Sequence, residues 1–114
     1  NWAALNGSSG TVRSLLEAGA EVDTRTDDDS TPLSLAAFMA HTDVVEMLIE
    51  AEAEVNPVNQ HQSTPLDSTY AKWGLVIGVA KMMQLTVERE RWEQDRITVR
   101  ELLRENGGKH LKEL

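Results

Sequence analysis

The chain contains no cysteine. That absence excludes disulfide bonds, a thiolate nucleophile and cysteine-ligated zinc, and it leaves the redox compartment open. Aromatic residues are also scarce, at 4% of the 114 residues, so a core would rest mainly on alanine, leucine and valine. The strongly apolar stretch 75–87 would span about 20 Å as a helix, which is too short to cross a bilayer. The chain length suits a single domain.

Basic residues are in the minority. The chain has 11 lysines and arginines against 19 aspartates and glutamates, which gives a formal net charge of −8. An acidic surface argues against binding the phosphates of nucleic acids. It permits a basic protein partner without requiring one, because acidity also aids solubility.

Motifs for catalysis are missing. His41, His61 and His110 do not have the spacing of a zinc-binding HExxH motif, and the sequence has no dinucleotide fingerprint and no GxSxG elbow. The Gly-Gly-Lys stretch at 107–109 lacks the upstream glycine and the following Ser or Thr of a phosphate-binding loop. We therefore expect no catalytic residue, no cofactor and no metal site.

The sequence instead repeats itself. The triplet Thr31-Pro32-Leu33 recurs 33 residues later as Thr64-Pro65-Leu66. The segment 45–56, VEMLIEAEAEVN, echoes 12–23, VRSLLEAGAEVD, at the same offset. Two independent landmarks at one offset indicate a repeat built from a turn and two short helices.

The repeated residues resemble the ankyrin family. Its consensus is matched in register by the Thr-Pro-Leu triplet, the Ala36-Ala37 pair, the His-x-Asp-Val-Val stretch at 41–45 and the closing Ala-Glu-Val-Asn at 53–56. The resemblance implies an all-α ankyrin-repeat solenoid of stacked helix-turn-helix units with short hairpin-like tips. It places one domain over 1–114, with an N-terminally incomplete repeat at 1–23, a second repeat at 24–56 and a third at 57–114.

Local chemistry favours the same helices. Thr31 suits an N-cap and Pro32 the first helical position, which predicts a helix to about Met39. After a loop at 40–43, an apolar stripe predicts a second helix that must be covered by neighbouring repeats: Val44, Val45, Leu48 and Ile49. In repeat one, the register assigns 2–7 to the first helix, 7–10 to the loop and 12–18 to the second helix.

Several positions depart from the family pattern. The histidine that follows Thr-Pro-Leu is replaced by Ser34 and Asp67. Four family glycines are replaced by other residues: Asp29, Ala40, Glu52 and Gln62. If Glu52 adopts the left-handed conformation of the glycine, it should cost on the order of 1 kcal/mol.

Repeat three carries an insertion of about 21 residues, near 75–95. We expect a lengthened helical hairpin, with the first helix running from Pro65 to about Met83, a turn at 84–86 and an early start for the second helix. A capping box formed by Thr98 and Glu101 favours a competing start at Thr98. The hairpin would either cap the last repeat or present an apolar, Met-rich surface to a partner.

The resemblance implies a non-catalytic, cytoplasmic adaptor or scaffold that binds an unknown protein and neither nucleic acid nor membrane. The alternative is a self-association domain that forms a homo-oligomer, such as a homodimer, through the inserted helices. A third interpretation is an enzyme with a site in a groove beneath the hairpin. Phe38 and Met39 are large apolar residues at normally exposed positions, so we expect either an interface or a lid formed by the insertion. The candidate partner-binding residues are Phe38, Met39, Asp27, Asp28, Asp29, His61, Lys72, Trp73, Met82, Met83 and Trp92.

Overall fold

A computed structural model describes residues 9–19 and 21–114. Across these residues the chain is helical and contains no strand, which confirms the all-α prediction. The helices are α1 (Ser9–Glu17), α2 (Pro32–Phe38), α3 (Thr42–Glu50), α4 (Pro65–Ser68), α5 (Trp73–Met82) and α6 (Arg89–Glu105), followed by a 3-10 helix, Leu111–Glu113. No helix in this described part is long and apolar enough to span a bilayer.

The helices stack in two layers, as a solenoid requires. In one layer α2 packs against α4, and in the other α3 lies between α1 and α6. The α2–α3 pair joins the layers within repeat two. The main core lies between the layers and is made of small and aliphatic side chains: Val12, Leu33, Ala36, Ala37, Val44, Val45, Leu48, Ala53, Leu66, Val99 and Leu103.

Repeat two forms as its sequence predicts. Thr31 has extended backbone angles, and its Oγ1 accepts a hydrogen bond from the Ser34 amide at 3.3 Å, while Pro32 begins α2. In α3 the stripe faces inward, with Val44 and Leu48 almost fully buried. Burying one such side chain contributes about 1.5–3 kcal/mol, which holds the repeats together.

The helices end in a left-handed residue at each position where the family glycines are replaced. The backbone φ is 57° at Ala40 and 66° at Glu52. After Glu52, the Ala53 amide donates to the Leu48 carbonyl at 3.0 Å, the bond that closes a Schellman motif. The two tips have the same feature, with φ of 61° at Asp29 and 56° at Gln62. The predicted strain at Glu52 is therefore present.

Repeat three departs from the predicted continuous helix. Helix α4 ends at Ser68, and α5 begins only at Trp73. The carbonyls exposed by this break are bound by arginines of α6. Arg100 Nη2 donates to the Thr69 carbonyl at 2.8 Å and Arg96 Nη1 to the Ala71 carbonyl at 3.2 Å. The expectation of one helix from Pro65 to Met83 was wrong because these side chains replace the helical hydrogen bonds that are lost.

The second half of the hairpin follows the prediction more closely. A turn follows α5, with Gln84 at a φ of 58°. Helix α6 then begins at Arg89, and Thr98 lies inside it with its hydroxyl donating to the Gln94 carbonyl at 3.5 Å. The competing helix start at Thr98 was therefore wrong, because the residues before Thr98 already continue the helix.

Repeat one also begins its second helix earlier than predicted. Helix α1 starts at Ser9, so Ser9 and Gly10 form its first turn and not the loop. The first turn tolerates these residues because its amides have no intrahelical partner in any case. The predicted helix at 2–7 and the rest of the predicted loop lie outside the described residues.

Candidate partner-binding groove

A groove with a cavity volume of about 480 Å³ lies beside the tips and helices of repeats two and three. Its walls come from the two tips, from α2 and α4, and from α5 of the insertion. The lining residues are Asp28, Ser30, Ser34, Leu35, Phe38, Asn59, His61, Ser63, Asp67, Ser68, Tyr70, Ala71, Leu75 and Val79. The groove therefore joins the solenoid to the inserted hairpin.

Part of the groove lining is apolar. Leu35 and Phe38 come from α2, while Leu75 and Val79 come from α5. The side chain of Leu75 is 59% exposed. Helix α5 carries Lys81 as its only charged residue, and a helix that is apolar on all sides is normally buried on all sides. Because Leu75 is nevertheless exposed, one side of α5 remains available to another molecule.

The tips supply polar groups to the groove. Asp28 Oδ1 accepts hydrogen bonds from the Thr26 hydroxyl and, at 3.3 Å, from the Ser30 amide. Asp28 Oδ2 lies 3.0 Å from His61 Nε2 on the neighbouring tip. The Thr26 hydroxyl is the main cause that lowers the pKa of Asp28, and it outweighs the opposing effect of burial, with help from Ser30 and His61. Asp28 is therefore a carboxylate at neutral pH.

Asp67 is a second carboxylate in the lining, and the C-terminal segment binds it. Asp67 Oδ2 accepts from the Thr64 amide and from the Leu111 amide, each at 3.0 Å, and His110 Nδ1 contacts Oδ1. Burial alone would raise the pKa of Asp67, but these hydrogen bonds together lower it. A histidine from the C-terminal segment thus meets the aspartate that replaces the family histidine of repeat three.

The inner face of α5 explains why Met39 is not exposed. Met39, Ala40, Val76, Ala80 and Trp92 form a second buried cluster. Met39 and Trp92 are each only 3% exposed. The insertion covers Met39 as a lid, so Met39 and Trp92 are unavailable to a partner and do not belong to the candidate surface.

Phe38 lies between the lid and the groove. Its side chain packs against the second cluster and also lines the groove. The Trp92 Nε1 donates to the Phe38 carbonyl at 3.4 Å, and the Trp92 ring lies 5.3 Å from that of Trp73. Buried aromatic contacts of this kind fix the hairpin against α2.

The remaining predicted residues are dispersed. Asp27 and Asp29 are exposed on the tip of repeat two. The side-chain Nε2 of Gln60 lies 3.5 Å from Asp29 Oδ2. Lys72 is exposed and precedes α5, whereas Met83 is half-buried after it. Met82 is 86% exposed and does not line the groove. The structure brings Asp28, His61 and Phe38 together, and the others lie apart from that group.

Eleven of the fourteen groove residues were not among the predicted site residues. Four of these eleven carry large side chains: Leu35, Tyr70, Leu75 and Val79. Leu75 and Val79 stood out only as members of an apolar stretch. The missing information was which side of α5 faces the solenoid, and that depends on the break after α4. Tyr70 follows the break, where Arg100 lies 3.6 Å from the centre of its ring.

Comparison with known proteins identifies the fold. A family model described as "Ankyrin repeats (3 copies)" matches residues 1–81. The match reaches into α5 and ends before α6, so it includes the tips and every residue that lines the groove. Ankyrin repeats generally mediate protein–protein interaction. No curated protein matches the chain.

Proposed function

Because the chain belongs to the ankyrin-repeat family, we propose that it is a non-catalytic protein-binding module that holds its partner in the groove. The observation that carries the proposal is the apolar wall formed by Leu35 and Phe38 on one side and Leu75 and Val79 on the other. An open groove with an apolar wall and a few polar groups beside it is typical of a binding site. We further propose that the protein acts as an adaptor or scaffold in the cytoplasm.

The insertion supports this assignment through its two faces. Val76 and Ala80 are fully buried against the solenoid, which fixes the helix in place. Leu75 on the same helix is 59% exposed. A rigid helix that presents exposed apolar side chains has a low entropic cost of binding, because little ordering remains to be done.

Affinity capture with groove variants tests the proposal. The protein and its Leu75→Lys variant are used as baits, and the retained proteins are identified by mass spectrometry. Leu15→Lys is the matched control, because Leu15 is 47% exposed on α1 and does not line the groove. We expect specific partners to be lost with Leu75→Lys and kept with Leu15→Lys. Equal capture by both variants would place the binding surface elsewhere.

Self-association through the inserted helices is a second candidate. The observation in its favour is Met82, which is 86% exposed at the end of a helix whose only charged residue is Lys81. Light scattering over a range of protein concentrations distinguishes the two functions. A mass above that of the monomer that returns to the monomer value in Met82→Lys would support self-association, and a constant monomer mass would exclude it.

A further inference from the structure

The groove has an apolar wall and two carboxylates in its lining, and together they indicate which kind of partner would bind there. We propose that it binds a segment of a partner protein in which a large apolar side chain lies close to a lysine or arginine. This inference rests on the proposed function and adds the chemical class of the segment. It is carried by the meeting of an apolar wall with two lining carboxylates.

The large apolar side chain of the partner segment is inferred from the apolar wall of the groove. Leu35, Phe38, Leu75 and Val79 line it, and no charged residue lies among them. A polar segment would lose its hydration there without gaining hydrogen bonds in return, which costs free energy. An apolar side chain gains instead about 25 cal/mol for each Å² of apolar surface removed from water.

The lysine or arginine of the segment is inferred from the carboxylates that line the groove. Asp28 and Asp67 line the groove, and none of the described lysines or arginines does, although Arg100 contacts the ring of the lining residue Tyr70. The pKa of each carboxylate is lowered, so both are anionic at neutral pH. A carboxylate has about four acceptor positions. Both oxygens of Asp67 are engaged by Thr64, Leu111 and His110, so Asp67 contributes only its charge. Asp28 Oδ2 uses one of its positions for His61, and capacity remains on that oxygen for a cation.

The acidic tip of repeat two favours the same partner. Asp27 and Asp29 are exposed on the tip beside Asp28. The arginine of that tip, Arg25, donates through Nη1 to the carbonyls of Asp29 and Val58, each at 3.1 Å, so its guanidinium is held by the tips. With a net charge of −8, the chain attracts a cationic segment over long range. The same charge disfavours a second copy of this chain as the occupant.

Selection from a library of short random peptides displayed on phage tests the inference directly. The bait is the whole chain, and no groove variant is used during the selection. We expect enriched peptides to carry a lysine or arginine within a few positions of a large apolar residue. Enriched peptides without a basic residue would overturn the inference and leave the proposed function standing. Failure to enrich any peptide would also overturn it.

Binding of one synthesised peptide from the selection supplies the quantitative test. Leu75→Lys should weaken binding by about tenfold or more, because it places a cation in the apolar wall and repels the cationic segment. Asp28→Asn should weaken it by about threefold and reduce its dependence on salt. Leu15→Lys should leave binding unchanged.

The controls keep each outcome interpretable. Thermal melting of every variant shows whether it folds, and Leu75 is exposed enough for its substitution to be tolerated. If Asp28→Asn does not fold, the salt dependence of the unmodified chain decides, because binding that ignores salt contradicts a cationic segment. If the peptides bind but Leu75→Lys has no effect on them or on captured proteins, both the inference and the proposed function fail.

Discussion

At the scale of single residues, this chain tolerates side chains where its family uses glycine. Ala40 and Glu52 adopt φ of 57° and 66° after helices α2 and α3. The hydrogen bonds of the helix ends are kept, so the geometry of the family persists without its preferred residue. The consequence is stored strain, since a left-handed conformation costs a residue with a Cβ about 1–2 kcal/mol.

Glu52→Gly should therefore stabilise the protein. Glycine removes the strain at a φ of 66°, while its greater freedom in the unfolded chain offsets part of the gain. We expect a net increase of about 0.5 kcal/mol in the free energy of unfolding, measured by urea denaturation. Glu46→Gly is the control, because Glu46 is exposed in the middle of α3 and the change should destabilise by about 1 kcal/mol. No gain for Glu52→Gly would show that the strain is relieved elsewhere.

Asp67 predicts an acid-sensitive contact between repeat three and the C-terminal segment. Its pKa in the folded state is lowered from 3.8, so its contribution is present above that value and is lost as the pH falls through the folded-state pKa. Asp67→Asn should be less stable than the unmodified chain at neutral pH, and the difference should shrink as the pH falls below 3.8 and through the lowered folded-state pKa. Thermal melting across this range measures the effect.

The control for Asp67 is Asp27→Asn, because Asp27 is exposed on a tip. It should lower stability little at any pH. A difference between Asp67→Asn and the unmodified chain that stays constant down to low pH would contradict the role assigned to the Asp67 carboxylate.

At the scale of elements, the break between α4 and α5 decides the shape of the groove. Arg100 binds the carbonyl and the hydroxyl of Thr69, at 2.8 and 3.1 Å, and covers the ring of Tyr70. The side chain of Arg96 lies over Trp92, with 4.3 Å between the guanidinium carbon and the ring centre. Two arginines of α6 thus fix the segment that redirects the chain into α5.

Arg100→Met should destabilise the protein because it leaves the Thr69 carbonyl without its partner. Hydrogen bonds to charged groups are worth about 1.5–3 kcal/mol each, and we expect a loss within that range by urea denaturation. Arg91→Met is the matched control, since Arg91 is 78% exposed and pairs with Asp95 on the helix surface at 3.5 Å. Such a pair contributes a few tenths of a kcal/mol. Equal losses for the two variants would show that the break is held by other contacts.

The elements differ in how far the sequence could predict them. Thr31 and Pro32 mark the start of α2 through local capping, and the stripe of Val44, Val45 and Leu48 marks α3 through its period. The left-handed positions followed from the register. The break after Ser68 could not be predicted, because it depends on Arg96 and Arg100, which lie far along the chain.

The groove, too, could be predicted only in part, because some of its residues are positioned by contacts between distant parts of the chain. Asp28, His61 and Phe38 were identified because the repeat register assigns them to the tips and to α2. Leu75 and Val79 became groove residues only after α5 was placed with Val76 and Ala80 against the solenoid. The direction of a helix that is apolar on all sides is set by tertiary packing and not by its sequence pattern.

At the scale of the whole molecule, the insertion is part of the solenoid. Its inner face and Trp92 form the second cluster with Met39 and Ala40 from repeat two, and α6 packs on α3 as the second helix of repeat three. The hairpin should therefore fold together with the repeats as one cooperative unit. The groove depends on this, because α5 forms one of its walls.

Equilibrium denaturation of the Trp2→Phe variant in urea, followed by two probes, tests this claim most directly. The chain has 3 tryptophans, so fluorescence in this variant comes from Trp73 and Trp92 in the hairpin, while circular dichroism reports all the helices. We predict that the two transitions have the same midpoint and slope. A fluorescence transition at a lower urea concentration than that of circular dichroism would show that the hairpin unfolds independently. That result would contradict a groove built jointly by the hairpin and the repeats.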